Sequence, residues 1–209
     1  MKQAGWRYAL KRTLDVAVAG TGLLALSPVM GGAAVAIRAT MGAPVLFKQT
    51  RPGMGGTPFD IYKFRTMLDA KDSDGNPRPD SERLTRLGRW LRETSIDELP
   101  ELLNVLEGTM SLVGPRPLLM QYLSRYSPEQ ARRHDVLPGI TGWAQVNGRN
   151  ATSFPERFAL DVWYVDHWTP ALDLEVLWKT VAVVLKRADI AHDGHATMFE
   201  FMGNAQPDT

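Results

Sequence analysis

Two adjacent carboxylates are the strongest chemical feature of this chain. They stand in Ser95-Ile96-Asp97-Glu98-Leu99-Pro100. Ser95 and Glu98 have the spacing of a helix capping box, and acids in a first turn suit the helix dipole. On that reading the stretch is a helix start and nothing more. Pro100 complicates it, because proline is tolerated only where its missing N–H is not needed. That moves the expected helix start from Ser95 to about Asp97. A carboxylate at the positive helix end stays ionised at neutral pH, as a nucleophile or metal ligand must. Glu98 adds a second hard oxygen donor, and such a pair suits Mg²⁺.

Three other stretches carry candidate chemistry. In Gly114-Pro115-Arg116-Pro117 the two prolines stiffen the backbone around one arginine. This is either a rigid surface turn or a preset guanidinium suited to bidentate phosphate binding. Pro138-Gly139-Ile140-Thr141-Gly142-Trp143 runs on to Gln145, Asn147, Gly148 and Arg149. Glycines there would let backbone approach a ligand closely, and Arg149 would meet an anion; the alternative is an ordinary loop. His192-Asp193-Gly194-His195 has two nitrogens and no third nitrogen or sulfur ligand nearby, which argues against a zinc site.

The elements that must position these groups read as a mixture of helix and hairpin. Pro44 to Met67 is expected to be a hairpin, with strand-like Val45-Leu46-Phe47 and Phe59 to Phe64 around the turn Arg51-Pro52-Gly53-Met54-Gly55-Gly56. Asp69 to Asp80 is polar and reads as an exposed loop. Glu82 to Glu93 reads as one amphipathic helix: Leu84, Leu87 and Leu91 mark one face, and Arg83, Arg86, Arg89 and Arg92 recur along another. That basic face is either simply solvated or set against anionic headgroups or phosphates. Further helices are expected over Asp97–Leu106, Ser127–Val136 and Asp173–Arg187, with an aromatic-rich stretch at Leu160–Trp168.

The N-terminal part is of a different character. Val16 to Ile37 is 22 residues without a charge. As a straight helix it would reach about 33 Å, enough to cross a bilayer core. Gly31-Gly32-Ala33-Ala34 is loosely like a signal-peptide cleavage site, but the run is longer than such peptides need. Lys2, Arg7, Lys11 and Arg12 precede the run, and Arg38, Lys48 and Arg51 follow it. Basic flanks favour the cytoplasm, and here both flanks are basic. Ser27-Pro28 in the middle removes a backbone donor and supplies a hydroxyl to the carbonyl left free. Flanks and kink together leave a spanning and a re-entrant helix equally open.

Composition excludes several classes. There are no cysteines, so disulfides and thiol chemistry are absent. Lys+Arg is 24 against 23 Asp+Glu, which gives no global field for nucleic acid. With 44% hydrophobic residues the chain is too rich in core formers to be disordered.

Taken in order, the motifs resemble one family, the bacterial sugar transferases or monotopic phosphoglycosyl transferases. The strings that carry the likeness are Lys11-Arg12 with Asp15, Ser27-Pro28, Gln49-Thr50-Arg51-Pro52-Gly53, Tyr62-Lys63-Phe64-Arg65-Thr66-Met67, Ser95 to Pro100, Ser111 to Leu118 and Pro138 to Arg149. The resemblance covers about Lys11 to Met202. It implies an α+β fold on a monotopic membrane protein: residues 1–38 as a re-entrant helix-break-helix broken at Ser27 and Pro28, and residues 39–209 as one catalytic unit with a small β-hairpin and several interfacial amphipathic helices.

The same resemblance implies transfer of a sugar 1-phosphate from a UDP-sugar to undecaprenyl phosphate, with release of UMP. Asp97 matches the nucleophile and Glu98 its acid partner, which serves the metal or takes a proton, with Mg²⁺ as cofactor held by the pair. Lys63, Arg92, Arg116 and Arg149 match basic positions near the phosphates, and Asp161 matches a further acid of the site. Membrane lipids, and downstream glycosyl transferases that extend the lipid-linked product, are the implied partners; nucleic acid is not. The implied location is the cytoplasmic face of the bacterial inner membrane. Gly194-His195-Ala196-Thr197 before Phe201 resembles the tail of members that use UDP-di-N-acetylbacillosamine, so an N-acetylated donor is expected. Two other readings stay open: a lipid-linked glycosyl transferase that releases UDP, and an inactive membrane scaffold, against which the intact Asp97-Glu98 pair argues.

Overall fold

A computed structural model describes residues 5–148, 153–186 and 201–203. It opens with α1, a single helix over Gly5–Met41. The break expected at Ser27-Pro28 is instead continuous helix. Pro28 cannot donate to the Leu24 carbonyl, and the Ser27 hydroxyl donates to it at 2.8 Å in its place. α1 is also the one described helix long and apolar enough to cross a membrane. Most of its apolar surface, including Leu14, Val18, Leu24 and Val35, faces outward.

The remainder is built close against this helix. β1 (Leu46–Pro52) and β2 (Pro58–Phe64) form the expected antiparallel hairpin, with Phe47 opposite Lys63 and Arg51 opposite Phe59. The turn between them places Gly55 and Gly56 at φ 64° and 76°, a region that favours glycine. Instead of one helix over Glu82–Glu93 there are two, α2 (Asp80–Arg83) and α3 (Arg86–Glu93). Leu84 is extended and bridges to Met67, and the Thr85 hydroxyl caps α3 by accepting from the Gly88 N–H at 2.9 Å. The arginine row is therefore split. Arg83 turns to the Leu68 carbonyl and Arg92 to the Thr66 hydroxyl, while Arg86 and Arg89 face solvent.

α4 covers Glu101–Glu107, preceded by a 3-10 turn at Ile96–Glu98. The expected start near Asp97 is thus a tight turn, and the α-helix begins only after Pro100. Asn104 is fully buried and locks α4 to the hairpin: its Oδ1 accepts from the Tyr62 N–H at 3.0 Å and its Nδ2 donates to the Asp60 carbonyl at 2.8 Å. β3 (Ser111–Val113) and β4 (Gly139–Thr141) form a short parallel pair. α5 (Pro128–Ala131) and a 3-10 turn at Arg132–His134 replace the helix expected over Ser127–Val136. α6 (Trp143–Asn147), α7 (Phe154–His167) and α8 (Pro170–Lys186) complete the order. α7 starts well before the aromatic stretch, because Ser153 and Glu156 form a full capping box.

α1 is fixed to this body near both ends. Lys11 is buried; its ammonium donates to the Val113 carbonyl at 3.1 Å and to Asp173 at 2.6 Å. Arg12 reaches the carbonyls of Met110 and Val105 at 3.0 and 2.9 Å. Asp15 accepts from the Ser111 hydroxyl at 2.7 Å. Ala19 joins the main core with Val105, Met110, Tyr164, Trp168 and Val176. Towards the other end Ala33, Ile37 and Met41 pack on Phe64 and Leu91 in a second core. A third core, Tyr122, Phe158 and Phe201, brings residue 201 back onto the body.

His134 sits where the hairpin turn meets the 3-10 turn at Arg132–His134. Its Nδ1 must be the donor to the Gly53 carbonyl at 3.2 Å, since a carbonyl only accepts. Burial, then the charge of Arg133, lowers its pKa to about 4, and the Gly53 bond offsets little of this. Above pH 6.5 the ring is neutral folded or unfolded, so it gives no pH dependence. As the pH falls from 6.5 towards 4, the unfolded chain takes up a proton that the folded chain refuses, and stability falls by up to about 3 kcal/mol. His134→Gln should therefore narrow the difference in Tm between pH 7.5 and pH 5. An unchanged difference, measured by thermal unfolding in detergent, would count against this account.

Candidate active site

An open cleft of about 1210 Å³ lies between the hairpin, the turn at Ile96–Glu98 and the Arg116 segment. Asp97, Glu98, Lys63, Arg92 and Arg116 all line it. Five of the residues expected to form the site are therefore brought together by four separate segments of chain.

The turn that carries Asp97 depends on Ser95. This residue takes a left-handed conformation, φ 55° and ψ 17°, and its side chain caps nothing. The expected Ser95–Glu98 capping box is thus absent, and Glu98 is released for other bonds. Its Oε1 lies 2.7 Å from Lys63 Nζ and 2.5 Å from Arg116 Nη2. Burial alone would raise its pKa, but the charges of Arg116 and Lys63 hold it far below the usual carboxylate range. Glu98 is held as a fixed negative charge, which suits electrostatic work better than carrying a proton. Asp97 is opposite in kind. It is 8% exposed, and burial, then the Glu98 charge, push its pKa up to about 6 against the pull of Lys63, Arg92 and Arg116. At neutral pH it remains mostly ionised but poorly solvated, the condition of a reactive carboxylate.

Each cation of the wall is set in place by its own element. Lys63 stands on β2 opposite Phe47, and alternation along β1 puts Arg51 on the same face as Phe47 and so as Lys63. Gly88 permits close approach of α3, since a Cβ there would fall 1.9 Å from the Thr66 carbonyl oxygen. That approach lets Arg92 Nε donate to Thr66 Oγ1 at 3.1 Å. Arg116 is held through its backbone: its carbonyl accepts from Arg133 Nη2 at 2.7 Å, between two prolines.

Asp161 is not in the cleft. It is 2% exposed and accepts from Arg133 Nε and Nη2 at 3.0 and 2.7 Å. Its place is behind Arg116, which it supports through Arg133. Arg149 and the His192–His195 stretch lie outside the described residues. The glycines of Pro138–Gly148 also serve a different purpose from the one expected. A Cβ on Gly139 would fall 2.1 Å from the Gly114 nitrogen, and one on Gly142 would fall 2.2 Å from the Gly114 carbonyl oxygen. They allow β4 and the Arg116 segment to approach each other, so their first role is to position Arg116.

Residues 6–187 match the family described as bacterial sugar transferase. The chain belongs to the bacterial sugar transferase family. It is 54% identical over 195 residues to the uncharacterized sugar transferase EpsL of Bacillus subtilis, covering 93% of this chain and 96% of that one. It is 44% identical over 185 residues to a UDP-glucose:undecaprenyl-phosphate glucose-1-phosphate transferase of Caulobacter vibrioides, covering 84% of this chain and 69% of that protein. A protein of the same name from Escherichia coli is 39% identical over 188 residues, which are 85% of this chain and 40% of the relative.

Two residues at this sugar transferase's cleft are given no role by the motifs, although Arg51 lies in the matching string Gln49 to Gly53. Arg51 lines the cleft, and its Nε is buried without a hydrogen-bond partner among the described residues. Burial and the charge of Arg116 lower its pKa. The hairpin register would have found it, since alternation puts Arg51 and Lys63 on one face. Glu101 lies directly behind Lys63, 3.0 Å away, and is 1% exposed. Burial, then the Glu98 charge, push its pKa up to about 7. In sequence it looks like an ordinary acid in a first helical turn.

Among the described residues no group of three or more His, Cys, Asp or Glu gathers as a metal cage. Mg²⁺ does not need one, since it is commonly held by one or two carboxylates together with substrate phosphates and water. Asp97, and Glu98 Oε2, whose nearest arginine nitrogen is 3.5 Å away, fit that pattern.

Proposed function

We propose that this chain transfers a sugar 1-phosphate from a UDP-sugar to undecaprenyl phosphate through a covalent intermediate on Asp97, releasing UMP. The observation that carries the reading is the pairing of a poorly solvated Asp97 with a Glu98 already neutralised by Lys63 and Arg116. The cationic groups then remain strong enough to draw in a diphosphate without quenching the nucleophile. The names of the Caulobacter and Escherichia relatives describe the same overall transfer.

The steps balance as follows. An Asp97 carboxylate oxygen attacks the sugar-bearing phosphorus. The bond from that phosphorus to the bridging oxygen breaks, and UMP leaves with the electron pair. Lys63, Arg116 and Arg92 stabilise the charge that builds on the phosphoryl oxygens. A lipid phosphate oxygen then attacks the same phosphorus and breaks its bond to Asp97, which regenerates the carboxylate. Held by Asp97, Glu98 and the donor's phosphates, Mg²⁺ would offset diphosphate charge. The donor is proposed to be an N-acetylated sugar such as di-N-acetylbacillosamine.

The test is intact-mass spectrometry of the purified protein after brief mixing with Mg²⁺ and a panel of UDP-sugars, without lipid acceptor. The panel includes UDP-glucose and UDP-galactose, since relatives are named for those sugars. A sugar-phosphate adduct with equal UMP release is expected. Release of UDP would replace this reading with glycosyl transfer, and no product from any donor would leave a membrane scaffold.

The same chemistry places the protein at a membrane surface, because the acceptor is lipid and the donor is soluble. The docking of α1 supports a monotopic arrangement, and the basic residues on both flanks of its apolar run favour the cytoplasmic face of the inner membrane. Lys11 and Ile37 would be about 39 Å apart along a straight helix, yet both pack on one body that is rich in charge. A spanning helix would drag that body into lipid. Single-cysteine variants Arg7→Cys and Lys48→Cys are expected to react with an impermeant maleimide only from the cytoplasmic side. Labelling of the two from opposite sides would restore a spanning helix.

A further inference from the structure

Glu101 stands behind the cleft wall and makes no contact with the open space. Its carboxylate has one ion-pair partner among the described residues, Lys63, at 3.0 Å. The same ammonium lies 2.7 Å from Glu98. One lysine is thus shared between a carboxylate that faces the cleft and one that is sealed behind it. The Glu101 contact is chiefly ionic, since Oε1 is close to the ammonium but is not met by a well-directed hydrogen bond. The fold alone does not call for this acid. A neutral side chain of similar shape would fill the position without the cost of burying a charge. α4 is already locked to the hairpin through Asn104.

We propose that Glu101 is a positioning residue for Lys63, anchoring the ammonium from behind so that it can turn from Glu98 to the donor's diphosphate without leaving the cleft. This rests on the reading of Lys63 as a ligand of that diphosphate. With Glu101 neutral, Lys63 closes onto Glu98 and meets the transferring phosphoryl group out of place. The ground-state pull of Arg116 and Arg92 on the donor is unaffected. The effect therefore falls on turnover and not on donor binding.

A double-mutant cycle on the full chain in nanodiscs tests this, read by UMP release and by Tm. Glu101→Gln is expected to lower kcat about tenfold while the donor KM changes less than threefold. In a Lys63→Met background the same substitution should cost no further activity and should raise Tm by more than it does with Lys63 in place, because it then removes a buried acid that has lost its partner. Equal losses of kcat in both backgrounds would overturn the proposal, as would wild-type kcat in Glu101→Gln. A wild-type chain that released no UMP from any donor would defeat the reading of the reaction instead. The change in Tm across the cycle would still decide whether Glu101 and Lys63 act as a pair.

Discussion

Asp97→Asn is expected to abolish turnover, by on the order of 10⁴-fold or more, and to leave no sugar-phosphate adduct on the protein. An amide keeps the shape of the side chain and removes the negative charge that makes the oxygen a nucleophile for phosphorus. The variant should not unfold. Burial and the Glu98 charge raise the folded-state pKa of Asp97 to about 6 from 3.8. A carboxyl with a raised folded pKa is bound to its proton more readily in the folded chain, so above pH 6 its ionised form opposes folding. Replacing it with a neutral group should hold or raise stability at pH 7.5, by on the order of 1 to 3 kcal/mol, and with it Tm. Loss of UMP release with a preserved or higher Tm separates a chemical role from a structural one. Retained turnover would remove Asp97 as nucleophile.

Arg116→Met is expected to lower kcat/KM for the donor by about 10² to 10³-fold. The guanidinium has two tasks. It lines the cleft, and with Nη2 2.5 Å from Glu98 Oε1 it is the nearer of that acid's two cations. Removing it leaves a half-buried carboxylate with Lys63 alone. Lys63 would be drawn further onto Glu98 and away from the phosphates. Arg116→Lys should recover only part of the activity, because an ammonium restores the charge but not the planar fork. Steady-state UMP release gives both numbers. A methionine variant within tenfold of wild type would show that the site does not depend on this arginine.

Much of the site can be read from residue order, and the parts that cannot have physical causes. The hairpin is legible because its strands are rich in aromatic and β-branched residues around a glycine turn. Residue type and spacing mark Asp97, Glu98 and Arg116, the family resemblance adds Lys63 and Arg92, and all five line one cleft. The helix over Glu82–Glu93 misled because its leucine spacing is helical throughout, whereas a threonine hydroxyl at Thr85 restarts the helix. β3 and β4 are three residues each, too short for any periodicity. The Ser95–Glu98 cap failed because two cations from distant segments compete for the Glu98 carboxylate. The resemblance counts Asp161 among the acids of the site, and a motif match does not distinguish an acid that lines the cleft from one that holds an arginine behind it. Glu101 was missed for the converse reason: its burial is set by the hairpin packed against α4.

The clamp of Lys11, Arg12 and Asp15 on the body has a practical meaning for anyone who wants this protein in water. α1 contributes three cation-to-carbonyl bonds, to Val105, Met110 and Val113, and the last of these lies three residues before Arg116. A fragment trimmed to begin after Met41 would strip those carbonyls, bare Leu91 and Phe64, and loosen the strand that presents Arg116. The helix is a wall of the enzyme, not a tether to be cut. A water-soluble version would have to be made by recolouring the outward face of α1, with polar residues at Leu14, Val18, Leu24 and Val35, while its inward face stays untouched.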